Sequence, residues 1–213
     1  MTWALDHIGD IMFRAGQHAW LAGLPLVLGL VIALPLGWLA ARRPRLRAVL
    51  LTTTGLLYTI PSLALFILLP PLLGTKILDP VNVIVAMTVY TVALLTRTVA
   101  DGLSSVDGST RQAAIAMGYG SFARFRAVDL PLAVPVIAAG LRVAAVSNVS
   151  IVSVASLIGI SQLGYFLTDG YARSFPTEVW VGIVACLLLA LVFDLVIQVV
   201  SRFLTPWTRV VAA

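Results

Sequence analysis

The chain has 213 residues, of which 60% are hydrophobic and 11% charged, and its mean hydropathy is +1.03. A soluble domain of this length needs more charged surface, so this composition excludes the soluble globular class. The net charge of +5 does not indicate nucleic-acid binding, because the basic residues cluster in short segments between apolar runs. We therefore predict one all-α membrane domain over residues 1–213.

Residues 1–19 precede the first long apolar run and carry several charges. Leu5, Ile8, Met12 and Ala15 recur at helical spacing, which is typical of a helix lying along a membrane surface. We expect an interfacial segment on the outer face. His7 and His18 fall in this segment and lack the spacing of metal ligands, so both are predicted to be ordinary interfacial residues.

Five apolar runs are each long enough to cross a bilayer as a helix, which takes about 20 residues. The predicted spans are residues 20–41, 48–69, 81–100, 132–160 and 179–200. Segments 42–47, 101–131 and 201–213 hold most of the basic residues. The positive-inside rule places these three segments in the cytoplasm, with the N-terminus outside and the C-terminus inside.

The second and third spans contain candidates for a translocation pathway. Pro61 and Ser62 interrupt the second span, where a proline kinks a helix and frees a backbone carbonyl. This bend either is tolerated by packing or lines the pathway as a gate. Tyr58 and Tyr90 are expected at mid-span, either in the core or where their rings could hold a cationic headgroup. Arg97, near the end of span three, either snorkels to the interface or pairs across a helix or subunit contact.

The polar segment 101–131 is the one substantial feature outside the apolar runs. Asp107 or Ser109 can cap a helix over residues 111–117, and Gly118 can end that helix in a left-handed turn. A second short helix over residues 122–128 should stop before Pro131. The expected product is a helix–turn–helix projection whose small residues, Ala113 and Ala114, fit a cleft on another protein.

The fourth and fifth spans carry polar groups within apolar sequence. Gly140, Ala144 and Ser147 begin a mostly small stripe that favours close helix packing. Asn148 and Ser150 add hydrogen-bonding groups that are expected at a protein interface or a hydrated path. Arg142 and Asp194 should both lie in the inner half of the membrane. They either pair with each other, or each reaches the interface or a partner subunit.

The sequence shows no clear motif for nucleotide binding, metal binding or nucleophilic catalysis. Its one lysine, Lys76, follows no Gly-rich phosphate loop, and no metal-ligand spacing or nucleophile elbow is evident. A multi-span enzyme remains an alternative, with Arg97, Arg142, Asn148 and Asp194 as its raw material. The favoured interpretation is that a partner bound at segment 101–131 supplies energy.

Segment 112–118 reads Gln-Ala-Ala-Ile-Ala-Met-Gly, and Leu130-Pro131 follows twelve and thirteen residues after Gly118. These offsets resemble the Glu-Ala-Ala loop of permease subunits in ATP-binding-cassette importers. The resemblance implies that the ATPase binds this loop; the residues concerned are Gln112, Ala113, Ala114, Met117, Gly118, Leu130 and Pro131. Gln112 departs from the family pattern, which has Glu at that position.

Segments 50–66, 130–142 and 156–164 resemble the permeases of osmoprotectant importers, which take up glycine betaine, carnitine, choline or proline. The resemblance implies the type I importer permease fold, in a bacterial cytoplasmic membrane. It also implies two permease subunits, two cytoplasmic ATP-binding subunits and an external solute-binding protein. ATP and Mg²⁺ would bind the ATPases, and this chain would bind no cofactor. The alternative is a permease for another small solute, such as an amino acid.

Overall fold

The computed structural model describes residues 2–209, and every regular element within that range is helical. Residue 1 and residues 210–213, which fall in the predicted outer and inner terminal segments, lie outside the described range. The elements, in chain order, are α1 (Thr2–Asp6), α2 (Ile8–Arg42), α3 (Pro44–Tyr58), α4 (Ser62–Leu73), α5 (Pro80–Ser104), α6 (Gly108–Ala116), α7 (Ser121–Arg124), a π-turn (Phe125–Asp129), α8 (Leu130–Ser153), a 3-10 turn (Val154–Ile158), α9 (Tyr165–Ala172), α10 (Pro176–Leu204) and a 3-10 turn (Pro206–Arg209).

Within residues 2–209, four helical stretches are long and apolar enough to span a membrane, and the bent α3–α4 pair makes a fifth if it is counted as one span. The predicted all-α bundle of five spans is confirmed in this sense. α2 and α5 form the central pair, with α8 packed against both and α10 packed on α8. Membrane helices associate by such close packing, since lipid provides no hydrophobic driving force between them.

Small residues set the distance between these helices. A Cβ added to Gly37 of α2 would lie 2.5 Å from the side chain of Val99 on α5, and one added to Gly29 would lie 2.5 Å from the Cβ of Thr91. Gly140 of α8 meets Thr98 of α5 in the same way. The glycine positions therefore allow direct backbone-to-side-chain contact along the α2–α5–α8 core.

The N-terminal segment differs from the prediction. α2 begins at Ile8 and continues through Arg42 without a break at residue 19, so residues 8–19 are part of the first long helix, and the outer interfacial position of residues 1–19 stays a prediction. Ile11 packs against Leu163 and Phe166, whereas Leu5, Ile8 and Met12 of the predicted apolar face are exposed. At 35 residues, α2 is about 52 Å long, which exceeds the hydrocarbon core of about 30 Å.

The second span is broken rather than kinked. α3 and α4 meet at 99° across residues 59–61, and Pro61 takes an extended ψ of 131° just before α4. The expectation of a single bent span over residues 48–69 is therefore corrected. Phe66 and Leu69 of α4 are buried against α5 residues such as Met87, and this packing turns α4 away from the direction of α3.

The fourth span begins earlier than the sequence indicates. The stretch from Ser121 to Ile158 counts as one span, so the expected second short helix does not stop before Pro131. Pro131 and Pro135 lie inside this stretch, in α8. A proline within a helix removes a backbone hydrogen bond, and the wider π-turn at Phe125–Asp129 precedes this position. The end of the projection, from Ser121, and the fourth span therefore form one continuous helical stretch.

Candidate coupling and translocation sites

Residues 107–129 form an exposed projection at one end of the bundle, which we call the coupling knob. α6 begins after Asp107, whose carboxylate accepts a hydrogen bond from the Ser109 hydroxyl. This bond holds the pKa of Asp107 below its ordinary value. Gly118 then turns the chain with a φ of +84°, and its N–H donates to the carbonyl of Ile115 at 2.9 Å. The predicted left-handed turn is present.

The outward face of the coupling knob combines small, apolar and polar groups. Gln112, Ala113 and Gly118 are exposed, and Met117 keeps 69% of its surface accessible. Phe122 is exposed as well. A Cβ added to Gly118 would meet nothing within 4 Å, so a partner could approach the backbone closely there. Exposed apolar side chains grouped outside the spans are typical of a protein-binding surface.

Ala114 does not belong to this outward face. It is 1% exposed and its carbonyl accepts from the N–H of Tyr119 at 3.1 Å. The prediction that Ala113 and Ala114 both enter a partner's cleft is therefore corrected: Ala113 faces outward and Ala114 packs inside the knob. Leu130 and Pro131 are half-buried at the start of α8, so they support the knob from within.

A buried carboxylate braces the coupling knob against the bundle. Asp129, on the π-turn, is within 3.3 Å of the guanidinium groups of both Arg111 on α6 and Arg124 on α7. Arg111 also donates to the carbonyl of Leu103 near the end of α5. Charge-assisted hydrogen bonds of this kind are stronger than neutral ones. No sequence pattern marks Asp129 as a functional residue, because an aspartate in a polar loop is common.

Other contacts join the ends of the spans near the knob. Arg47 at the start of α3 contacts the Asp101 carboxylate at 2.6 Å and the Ser104 hydroxyl at 3.2 Å, both on α5. Arg42 at the end of α2 donates to the Ser121 hydroxyl at 2.7 Å. The basic residues of segment 42–47 therefore join α2 to α7 and α3 to α5.

The candidate pathway residues of α3 and α5 lie close together. The rings of Tyr58 and Tyr90 meet edge to face with centroids 5.7 Å apart. The Tyr90 hydroxyl donates to the carbonyl of Ile60, within the break between α3 and α4. Tyr90 is buried, whereas Tyr58 is 39% exposed at the end of α3. Pro61 is exposed and Ser62 half-buried beside them.

An open cleft of 270 Å³ lies along α3 and α5, lined by Thr54, Tyr58, Arg97 and Thr98 among others. Arg97 is exposed, and no ion-pair partner lies within 4.0 Å of it in the part of the chain that the structure describes. Polar and aromatic groups on an exposed face of a membrane bundle indicate contact with water or with another protein rather than with lipid. This cleft is the best candidate for a surface at the translocation pathway.

Asn148 and Ser150 occupy different environments. Asn148 is 2% exposed and its amide donates to the Ala22 carbonyl at 3.2 Å and to the Thr91 hydroxyl at 3.0 Å. It therefore joins α8 to α2 and α5, and its prediction as a pathway residue is corrected for this conformation. Ser150 is exposed on the other side of α8.

Arg142 and Asp194 form a bidentate ion pair between α8 and α10. Nε and Nη2 of Arg142 lie 2.5 and 3.0 Å from the two carboxylate oxygens of Asp194. Gln198, one turn along α10, donates to the same carboxylate at 2.6 Å. Arg142 and Asp194 therefore pair with each other, which is the first of the two predicted alternatives.

A buried polar cluster near the other end of the bundle was missed by the sequence analysis. His18 is fully buried, and its ring nitrogens lie 2.9 Å from Gln162 Oε1 and from the carbonyl of Val149. The prediction of an interfacial His18 is therefore wrong. Gln162 also donates to the carbonyls of Val152 and Ser153, each at 3.1 Å. Among residues 2–209, no group of three or more His, Cys, Asp or Glu side chains could hold a metal ion.

This chain is similar to known proteins, which identify a family and several relatives. Residues 33–210 match the sequence profile of the family described as binding-protein-dependent transport system inner membrane component. The chain is 34% identical over 207 residues to the osmoprotectant import permease protein OsmW of Salmonella typhimurium, covering 95% of each chain.

A second relative and a solved structure are also similar to this chain. The chain is 29% identical to the glycine betaine/carnitine/choline transport system permease protein OpuCB of Bacillus subtilis, covering 97% of this chain and 94% of that protein. Among solved structures, a chain of the MetNI methionine ABC transporter in an inward-facing conformation superposes with a TM-score of 0.84 at 21% identity. That match covers 94% of this chain and 98% of the other, and it shows a common fold.

Proposed function

Because the chain belongs to the family of binding-protein-dependent transport system inner membrane components, we propose that it is the translocating subunit of an importer for osmoprotectants. The solute class is a quaternary ammonium or related zwitterion, such as glycine betaine, carnitine or choline. The printed names of relatives that match nearly the full chain support this class. The observation that carries the transport role is the exposed coupling knob, which is braced to the ends of α5 and α8.

The coupling knob is the proposed binding site for a cytoplasmic ATPase. Ala113, Met117 and Gly118 present a small and apolar surface, and Gln112 contributes a neutral amide beside them. ATP and Mg²⁺ belong to the ATPase in this proposal. Movement of the bound ATPase would pull on α6, and the Asp129 brace would pass that movement to α5 and α8 as a rigid-body displacement.

The complete importer is proposed to contain two permease subunits, two ATPases and an external solute-binding protein. The exposed cleft with Tyr58 and Arg97 supports a second permease on that side, because a pathway between two subunits needs polar surfaces that face away from lipid. The coupling knob then lies in the cytoplasm, the N-terminus lies outside and the C-terminus lies inside. The distribution of basic residues supports this orientation.

Tyr58 is the proposed contact for the solute headgroup. A quaternary ammonium is attracted to an aromatic face, a contact of about 0.5–2 kcal/mol, which suits brief passage better than tight binding. Tyr58 is exposed, whereas Tyr90 supports it from the core through the edge-to-face contact. The external binding protein would supply the main selectivity.

The test is uptake by the reconstituted importer. The permease, its ATPases and its binding protein are assembled in proteoliposomes with ATP inside, and radiolabelled glycine betaine, choline and an amino acid are offered in parallel. Uptake of the quaternary ammonium solutes that depends on ATP supports the proposal. Uptake of the amino acid alone would favour the alternative solute class, and activity of this chain alone on a lipid would favour a membrane enzyme.

Undiminished betaine uptake after Tyr58→Leu and Tyr90→Leu together would remove both rings from the pathway.

A further inference from the structure

An open cavity of 540 Å³ lies at the end of the bundle opposite the coupling knob. α8 begins at the knob and has 24 residues, so its far end is about 36 Å away, and the cavity is built from the segments that follow it. The volume is within the range of about 300–1,000 Å³ that is typical of small-molecule sites. We call it the outer cavity, since the proposed orientation places it on the external side. Its lining includes a cation, an anion, an aromatic ring and hydroxyl groups, among them Arg14, Ser161, Tyr165, Thr168 and Asp169.

Arg14 of α2 is held in one orientation on the wall of the outer cavity. Its Nε lies 3.0 Å from each carboxylate oxygen of Asp10, one turn earlier on the same helix. Its Nη1 donates to the Ser161 hydroxyl at 2.9 Å, and its Cζ lies 3.7 Å from the centroid of the Tyr165 ring. The guanidinium is therefore positioned before any ligand arrives, which lowers the entropic cost of binding.

Two neighbouring hydrogen-bond donors on this wall are left over. Arg14 Nη2 makes no hydrogen bond within the described range 2–209, and the Ser161 hydroxyl accepts from Nη1 of the same guanidinium without donating to another described residue. The hydroxyls of Ser156 and Thr168, by contrast, donate to backbone carbonyls. An Arg N–H beside a free hydroxyl hydrogen suits a carboxylate, which accepts charge-assisted hydrogen bonds at both oxygens.

The α9 side of the outer cavity is negative. Oδ2 of Asp169 lies 2.5 Å from Nη2 of Arg173, and the same nitrogen contacts the Glu178 carboxylate. One guanidinium thus serves two carboxylates, and this group keeps a net negative charge. Asp169 is the member of the group that lines the cavity, so a cationic group is attracted to this side.

The loop that carries Ser161 is fixed by its neighbour Gln162. The Gln162 amide donates to two carbonyls at the end of α8, each at 3.1 Å, and its Oε1 lies 2.9 Å from His18 Nδ1. A Cβ added to Gly164 would lie 2.2 Å from the Ser153 carbonyl oxygen, so the loop is packed tightly onto α8. The donor wall therefore belongs to the rigid part of the bundle.

We propose that the outer cavity binds one zwitterionic solute. Its carboxylate accepts hydrogen bonds from Arg14 Nη2 and the Ser161 hydroxyl, and its ammonium group lies toward Asp169. Glycine betaine and carnitine carry both groups, whereas choline has no carboxylate and can use the Asp169 side alone. Arg14 therefore separates zwitterions from simple cations. The inference rests on the solute class of the proposed function, and it concerns a site distinct from the cleft at Tyr58.

The test measures solute binding without transport. Glycine betaine or choline is titrated into the purified permease–ATPase complex in nanodiscs, without ATP or binding protein, and saturation-transfer difference NMR gives each dissociation constant. We expect Arg14→Gln to weaken betaine binding about tenfold, as for the loss of charge-assisted hydrogen bonds, and not to weaken choline binding. Retained choline binding also shows that the variant is folded. Lys76→Gln is the matched control, because Lys76 is exposed and does not line the cavity.

Two further variants test the other parts of the outer cavity. Asp169→Asn should weaken the binding of both solutes, because each has a quaternary ammonium group. Ala172→Trp, which fills the cavity from its lining, should also lower the binding of both. Tyr171→Trp is its control, since Tyr171 is 85% exposed and lies outside the lining.

Several outcomes would overturn the proposal. They are a wild-type complex that binds no betaine, equal weakening of betaine and choline by Arg14→Gln, and equal effects of Arg14→Gln and Lys76→Gln on betaine. Betaine binding that Tyr58→Leu abolishes and Arg14→Gln leaves intact would place the solute in the other cleft. Each of these results leaves ATP-dependent uptake, which tests the proposed function, to be judged separately.

Discussion

Gly118 is the residue at which the coupling knob both turns and offers bare backbone to a partner. Its φ of +84° costs a residue with a side chain about 1–2 kcal/mol. Gly118→Asp adds that strain and a carboxylate on the exposed face. We expect association with the ATPase and solute uptake to fall about tenfold or more, while the amount of permease in the membrane stays unchanged. Detergent pull-down of the ATPase and a parallel uptake assay measure the two effects.

The neighbouring Gly120 provides the matched control for this substitution. It has a φ of −66° and open space around it, so Gly120→Asp adds charge nearby without backbone strain. Gln112→Glu restores the residue type of the family pattern and should be tolerated. If Gly118→Asp retained wild-type association and uptake, the coupling knob would not be the ATPase-binding site.

The Arg142–Asp194 pair supports a second residue-scale prediction. Arg142→Gln and Asp194→Asn each leave one charge unpaired next to the membrane interior, whereas the double variant removes both charges. The double variant should therefore be more stable than the sum of the single effects implies. Thermal unfolding of the four proteins in the same detergent measures this coupling. Strictly additive effects would mean that the pair does not form in solution.

The environments of some individual residues could not be predicted from the sequence. The fixed offsets from Gln112 to Pro131 predicted the position of the knob and its turn at Gly118. The same offsets could not show that Ala114 faces inward, because the phase of α6 is set by Asp129 and Leu103, which the motif does not include. His18 was misjudged for a similar reason: its partners, Gln162 and Val149, lie more than 130 residues away along the chain.

At the scale of elements, the Asp129 brace determines how firmly α6 is held to the bundle. Asp129→Asn keeps the side-chain shape but weakens the contacts with Arg111 and Arg124. Hydrogen bonds to charged groups contribute about 1.5–3 kcal/mol, so backbone amides of α6 should exchange at least tenfold faster. Hydrogen–deuterium exchange of the reconstituted protein measures this.

Asp101→Asn is the comparison for the brace, because Asp101 is 51% exposed and contacts a single arginine. It should change exchange in α6 far less. We also expect Asp129→Asn to lower the ATPase activity that solute and binding protein stimulate. Unchanged exchange in α6 would show that the knob is held by its apolar contacts alone.

The break between α3 and α4 is held to α5 by the bond from the Tyr90 hydroxyl to the Ile60 carbonyl. Tyr90→Phe removes this bond and leaves the ring in place, so residues 59–61 should become more mobile. Tyr58→Phe is the matched control, since no hydrogen bond to the Tyr58 hydroxyl is found among the described residues. Spin labels at Thr59 and Val85, with Cys186 replaced by Ala, report the distance distribution. A distribution that Tyr90→Phe leaves unchanged would mean that packing alone fixes the break.

Sequence patterns predicted the elements better than their mutual angles. The apolar runs predicted the long helices, because a run of about 20 apolar residues is typical of a membrane-spanning helix. The angle at Pro61 depends on the burial of Phe66 and Leu69 against α5, which a local pattern cannot contain. The continuity of α8 through Pro131 likewise depends on the π-turn before it.

At the scale of the whole molecule, the proposed orientation can be tested by labelling. In a Cys186→Ala background, Ser121→Cys reports on the coupling knob and Lys76→Cys on the turn between α4 and α5; both positions are exposed. An impermeant thiol reagent added to intact cells should label Lys76→Cys and leave Ser121→Cys unlabelled until the membrane is opened. The opposite pattern would invert the topology and move the coupling knob out of reach of a cytoplasmic ATPase.

The broken second span has a consequence for the order in which the chain is built into the membrane. α3 has 15 residues and α4 has 12, so they are about 22 and 18 Å long and neither covers a hydrocarbon core of about 30 Å. The Ile60 carbonyl, which lies between them, receives its hydrogen bond from Tyr90 on α5, an element that the ribosome makes later. A nascent chain that ends before residue 80 therefore contains no partner for this carbonyl. The second span can take its final position only after the third has entered the bilayer, so the biogenesis of this protein runs partly against its sequence order.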